Sequence, residues 1–170
     1  MLLVAAARWM VTVESAVVCP PLTVYAPYCE CQECDHNQFD YCEDESNLGT
    51  IYLDCYSSNL VLDDAKAAKI LDAFINTPGV SPLGWVEMRA SDLTRVPDQI
   101  RLLSRLFRID LIRTEIQSIE TGAFNAANSS NYRIYMDFSK ITTIAPGAFS
   151  GYYGNGSIII LDNDNVTRFE

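Results

Sequence analysis

Histidine is nearly absent from this chain, with His36 the only one among 170 residues. That removes Ser-His-Asp and Cys-His catalysis from everywhere except the neighbourhood of His36. The sequence also lacks GxGxxG, Walker A and HExxH patterns, so no nucleotide or zinc-protease motif is present. Basic residues are few, 12 Lys and Arg against 22 Asp and Glu, for a net charge of -10. Such a balance excludes nucleic acid, which needs clustered cations to neutralise phosphates, and an anionic membrane surface. No run reaches the ~18–20 apolar residues of a membrane span. Cysteine is missing from the whole chain beyond Cys55. Charge is also too sparse for a disordered chain, since 49% of residues are hydrophobic and 20% charged. One domain with a continuous core is therefore expected.

What the sequence does contain is an internal echo. "IQSIETGAF" (Ile116 to Phe124) returns as "ITTIAPGAF" (Ile141 to Phe149), 25 residues later. Anchored there, a template emerges with Leu at position 1, apolar residues at 4, 6, 11 and 14, and a small polar residue at 9. Units begin near 83, 106, 131 and 156. The apolar positions read Val86, Met88, Leu93 and Val96; Ile109, Leu111, Ile116 and Ile119; Ile134, Met136, Ile141 and Ile144; Ile159, Leu161, Val166 and Phe169. Position 9 is Ser91, Thr114, Ser139 and Asp164.

This spacing is that of a leucine-rich repeat, LxxLxLxxNxLxxL. Positions 4 and 6 alternate on a short strand and point inward, so 3, 5 and 7 point outward. The expected fold class is α/β, a leucine-rich-repeat solenoid with a parallel sheet on its concave face. Gly-Ala-Phe turns the opposite side, and Phe124 and Phe149 are expected to stack as core aromatics rather than line a cofactor pocket.

The first unit is irregular. Ile51, Leu53 and Cys55 alternate as on a strand, and "DDAKAAKILDAFINTPG" reads as a helix. Asp63 or Asp64 caps its start, Ala68, Leu71, Phe74 and Ile75 form its apolar face, and Asn76 to Gly79 stop it. A shorter helical turn is expected from Pro97.

Cys19, Cys29, Cys31, Cys34, Cys42 and Cys55 crowd the first third of the chain. A solenoid exposes its core at each end, so a cross-linked cap is one use for them. Zinc is the other: Cys29, Cys31, Cys34, His36 and Cys42 would suit its coordination. Residues 1–15 form an apolar, signal-like leader with small residues at Val13 and Ser15, although Arg8 interrupts it and no basic residue precedes it. Leader and clustered, even-numbered cysteines together favour secretion and disulfides over metal. The expected organisation is a leader over 1–15, a Cys-rich cap and first strand over 16–56, an irregular unit with a helix over 57–82, and repeats over 83–170. Because the chain stops in mid-unit at "VTRFE", further coils are expected beyond Glu170.

The Cys-Pro start at Cys19, "LDC" at Cys55, "LTRVPDQI", "ITTIAPGAF" and "IIILDNDNVTRFE" together resemble the arthropod leucine-rich-repeat proteins. These are named after the non-catalytic subunit of Oplophorus-luciferin monooxygenase. The resemblance spans roughly residues 19 to 170. It implies an extracellular binding or stabilising role, with oxidation left to a different chain. The cap pairing usual in extracellular repeat proteins, first with third and second with fourth, implies Cys19–Cys31 and Cys29–Cys55, leaving Cys34–Cys42 as an extra staple.

The candidate site is the outward face of the sheet. Positions 3, 5 and 7 give Trp85, Glu87 and Arg89; Arg108, Asp110 and Ile112; Arg133, Tyr135 and Asp137; and Ile158, Ile160 and Asp162. Trp, Tyr and Arg are enriched at binding hot spots. The competing reading is that Trp85, Arg108 and Asp110 merely pair with one another. Asp110, Asp137 and Asp162 are read as a solvated acidic strip rather than acid–base catalysts, so no enzyme and no cofactor is expected. The partner is expected to be a protein, and the rival role is a structural matrix or cuticle component. Asn128, Asn155 and Asn165 begin N-x-S/T sequons, with Asn128 and Asn155 in the variable loops.

Overall fold

The computed structural model describes residues 17–34, 49–56, 60–124, 132–150, 156–161 and 168–169. Its main element is a six-stranded sheet, built from β1 (Glu30–Glu33), β2 (Ile51–Cys55), β3 (Leu83–Arg89), β4 (Arg108–Ile112), β6 (Arg133–Asp137) and β8 (Ser157–Leu161), in that order. β1 joins antiparallel and every other pair is parallel. The two-residue strands β5 (Ser118–Ile119), β7 (Thr143–Ile144) and β9 (Arg168–Phe169) form a second parallel sheet. Among the described residues the helices are α1 (Leu22–Tyr25), α2 (Asp64–Asn76) and a 3-10 turn (Asp98–Leu102), which occupies the place expected after Pro97.

The inner rows of the main sheet follow from alternation along each strand. Leu53, Val86, Ile109 and Ile134 sit opposite one another across four parallel strands, as do Cys55, Met88, Leu111 and Met136. All eight are buried. Below them lie Leu93, Ile116, Ile119, Ile141 and Ile144, also buried, where the chain crosses back toward the second sheet. Each such side chain stabilises the fold by about 1.5–3 kcal/mol relative to exposure. Gly122 and Gly147 turn the chain with φ of 71° and 70°, a region open to glycine. The turns bring Phe124 and Phe149 into a parallel stack, 5.4 Å between ring centroids.

Three strands end on a residue in the left-handed region: Ala90, Arg113 and Phe138, with φ between 47° and 55°. The N–H of Ala90 donates to Ile112 O and that of Arg113 to Asp137 O, so each bend is held by the next strand. Ser91, Thr114 and Ser139 are buried just beyond these bends. Thr114 and Ser139 hydroxyls bond each other at 2.8 Å, while Ser91 Oγ has no hydrogen-bond partner among the described residues.

Asp63 is the N-cap of α2 and accepts from Lys66 N at 2.9 Å. Asp64 instead accepts from Thr94 N and Thr94 Oγ1, tying the helix to the chain after β3. The buried face of α2 is Ala67, Ile70, Leu71 and Phe74. Ala68 and Ile75, expected there, are only half-buried. The buried set follows the i, i+3, i+4, i+7 spacing of a single helical face, on a helix that packs beside α1 and the 3-10 turn. Disulfides join Cys19 to Cys31 and Cys29 to Cys55. Cys34 is also disulfide-bonded, and Cys42 lies outside the described residues. With Cys29 and Cys31 oxidised, neither sulfur is available as a zinc thiolate.

Candidate functional site

The outward positions of five parallel strands form three rows. The first runs Tyr52, Trp85, Arg108, Arg133 and Ser157, and the second Asp54, Glu87, Asp110, Tyr135 and Ile159. The third runs Arg89, Ile112, Asp137 and Leu161.

These registers correct the expectation for the last strand. Ile158 and Ile160 pair with Ile134 and Met136, so they continue the inner rows and are not part of the outer face. Ser157, Ile159 and Leu161 take the outer places, and Ile159 leaves the inner row assigned to it. The offset from β6 to β8 is 24 residues, one fewer than between β4 and β6. Because side chains alternate with a period of two, one residue inverts the strand. The second sheet keeps the expected register, with Ile144 opposite Phe169. Asp162, Asn128, Asn155 and Asn165 lie outside the described residues.

At the β2–β4 end the outer face is closed upon itself. Tyr52 and Trp85 pack at a 31° tilt with ring centroids 4.2 Å apart, and with Cys34 and Phe107 they form a second, smaller apolar cluster. Trp85 Nε1 donates to Asp110 Oδ2 at 3.0 Å, and Arg108 Nε donates to both Asp110 oxygens at 2.8 and 3.0 Å. The Arg108 guanidinium lies 4.3 Å from the Trp85 ring centroid, within cation–π range. The pairing alternative therefore describes Trp85, Arg108 and Asp110. Tyr52 OH donates to Glu87 Oε2 at 2.7 Å. Arg89 contacts Asp54 Oδ2 at 3.2 Å and places Nε 2.6 Å from Glu87 Oε1, an ion pair without hydrogen-bond alignment.

Electrostatics follow from this closure. Asp110 is 1% exposed. Burial pushes its carboxyl up to about 6, a rise that Arg108 opposes and Glu87 reinforces. Burial also drives the Tyr52 hydroxyl far above its usual range, aided by its hydrogen bond to Glu87. For Arg89, burial works against the charge, but Glu87 and Asp54 more than offset it, and its affinity for the proton rises. Of the acidic strip expected to be solvated, Asp110 is buried and Asp137 half-buried, and Glu87 is buried beside Asp110.

Toward β6 and β8 the face opens. Arg133 is exposed, Tyr135 and Asp137 are half-buried, and Ile159 and Leu161 are 41% and 46% exposed. Tyr135 OH donates to Asp137 Oδ2 at 3.0 Å. Phe138, 52% exposed, projects beyond the strand end with the Arg113 guanidinium 5.8 Å from its ring centroid. Tyr52, Asp54, Phe107 and Phe138 were absent from the expected site. Alternation with Ile51, Leu53 and Cys55 already places Tyr52 and Asp54 outward, whereas nothing in the sequence marks Phe107 and Phe138. No protein-family model matches this sequence, and no curated protein and no solved structure matches it either.

Proposed function

We propose that the chain is a secreted leucine-rich-repeat solenoid that binds a protein partner through the outer, concave face of its parallel sheet. It acts as a non-catalytic accessory subunit rather than as an enzyme, in the manner its resemblance to the luciferin-monooxygenase family implies. The disulfides support an extracellular setting, and no helix among the described residues is long and apolar enough to cross a membrane.

The observation that carries the reading is the gradient along the outer face. Interlocked Tyr52, Trp85, Glu87 and Asp110 make the β2–β4 half rigid. Arg133 and Ile159 next to it are exposed, and half-buried Tyr135 lies between them, so charge, aliphatic and aromatic surface meet there. A rigid platform beside an accessible mixed patch limits the ordering cost of binding. One observation favours the rival, a matrix component without a defined ligand: Trp85 and Arg108 already satisfy each other and Asp110.

Pull-down from extracellular fluid separates the two. The Arg133→Glu, Tyr135→Ala double variant leaves the inner rows intact but adjoins Arg108 and Asp110 on the neighbouring strand, so circular dichroism checks its fold. A protein retained by the native chain and lost by the variant is expected. Equal recovery, or nothing retained by either, favours the matrix role.

A further inference from the structure

Asp110 stands opposite Glu87 on the adjoining strand, and both carboxylates are buried. Around them β2 contributes Tyr52 and Asp54, β3 contributes Arg89, and β4 contributes Arg108. Three carboxylates thus face two guanidiniums. On the β6 side Tyr135 lies opposite Asp110, with Arg133 one row to one side and Asp137 one row to the other. Arg133 is exposed, so water screens it from the cluster. Asp137 adds a further carboxylate, whose Oδ2 accepts from Tyr135 OH. The cluster is one cation short. Asp54 Oδ1 bears the shortage out, since it is buried and has no hydrogen-bond partner among the described residues.

A proton can supply the missing charge. A carboxyl taken out of water beside another carboxylate holds its proton more tightly than one in solvent. Protonated, Asp110 neutralises the buried excess and still accepts from Trp85 Nε1. Ionised, it keeps the excess and gains from any movement that lets water reach it. Its cover is Trp85 and Arg108, two side chains whose displacement breaks no hydrogen bond of the strand ladder. Closure is therefore favoured in acid and weakened as the pH rises through about 6, where this carboxyl ionises.

We propose that Asp110 is a proton-operated latch on the outer face: with its proton on, Trp85 and Arg108 stay closed over it, and with its proton off they open more often, as a local change in the folded chain. Opening presents an indole and a guanidinium beside Arg133 and Tyr135, the side-chain types that anchor interfaces. A partner on this face is then held more firmly at neutral pH than in mild acid. That consequence rests on the partner reading above; the latch does not, and it is measured on the chain alone.

Hydrogen exchange of the Trp85 indole N–H, followed by NMR, tests the latch. Its protection factor divides out the intrinsic base catalysis of exchange and reports how often the cover opens. In the native chain it should fall on the order of tenfold between about pH 5 and about pH 8. The backbone amides of Ile109 and Leu111 should stay better protected throughout, which separates local opening from unfolding. Asp110→Asn, neutral at every pH, should hold a constant protection factor. Should that variant fail to fold, the Asp110 carboxyl carbon and the Trp85 indole signal of the native chain provide the decision, and one shared midpoint near pH 6 is expected. Protection that is flat with pH, that falls equally in Asp110→Asn, or that merely matches the Ile109 and Leu111 amides overturns the proposal, as do two different midpoints.

Discussion

Asp110 shows how one side chain can be outward and yet buried. Its strand position turns it away from the core, but Trp85 and Arg108 close over it. Burial raises its pKa from 3.8 to about 6, so between those values the native state holds a proton that the unfolded chain has released. Stability contributed by this group is present in full below about pH 3.8 and is lost as the pH rises through about 6. Relative to Asp110→Asn, the native chain should lose on the order of 2–3 kcal/mol between about pH 4 and pH 7. Urea unfolding of both proteins across that range checks the sign; a constant difference rejects it. Gly84 is a second such residue. It is the extra residue where the β2–β3 register shifts, between Leu83 and Trp85. A Cβ there would come 2.5 Å from Phe107 Cε1 and 2.5 Å from Thr50 Oγ1. Gly84→Ala is expected to cost about 1–3 kcal/mol through overpacking, read as a lowered urea midpoint.

At the scale of the element, the strand ends offer a sharper test than the strands. Ala90 holds a φ of 47°, a region that costs an L-residue roughly 1–2 kcal/mol. Ala90→Gly should leave stability unchanged or raise it by up to about 1 kcal/mol, whereas Ala90→Val should lower it by about 1–2 kcal/mol. Thermal unfolding of the pair tests this, and equal loss in both would show that the bend is not left-handed in solution. The inner rows were legible in the sequence, because alternation and the 25-residue echo together leave Val86, Ile109 and Ile134 only one place to go. The inversion of β8 was not, because the template was anchored on the Gly-Ala-Phe turns and the loop before β8 is shorter by one residue. Nor was the face of α2, where Ala67 and Ala68 are equally apolar and only packing against neighbouring elements chooses between them. Burial of Trp85 and Asp110 is hidden in the sequence for another reason. It depends on Tyr52 and Phe107, which only the strand order brings together.

Across the molecule, the amino-terminal end of the core is held covalently and the β8 end is not. Cys29 and Cys55 are 5% and 2% exposed and belong to the core cluster. Their disulfide encloses 26 residues of sequence separation. Replacing both by alanine should lower stability by about 3–4 kcal/mol on loop-closure grounds. Guanidinium unfolding of the double variant measures it, and a loss below about 1 kcal/mol would show that packing rather than the cross-link secures this end. The closed cluster around Trp85 has an optical consequence. An indole held against a phenol ring, a guanidinium and a carboxylate emits light in a way that depends on all three. In a Trp9→Phe chain, where Trp85 is the single indole, emission colour and intensity become a built-in gauge of whether Arg108 and Asp110 have parted, readable without any added dye.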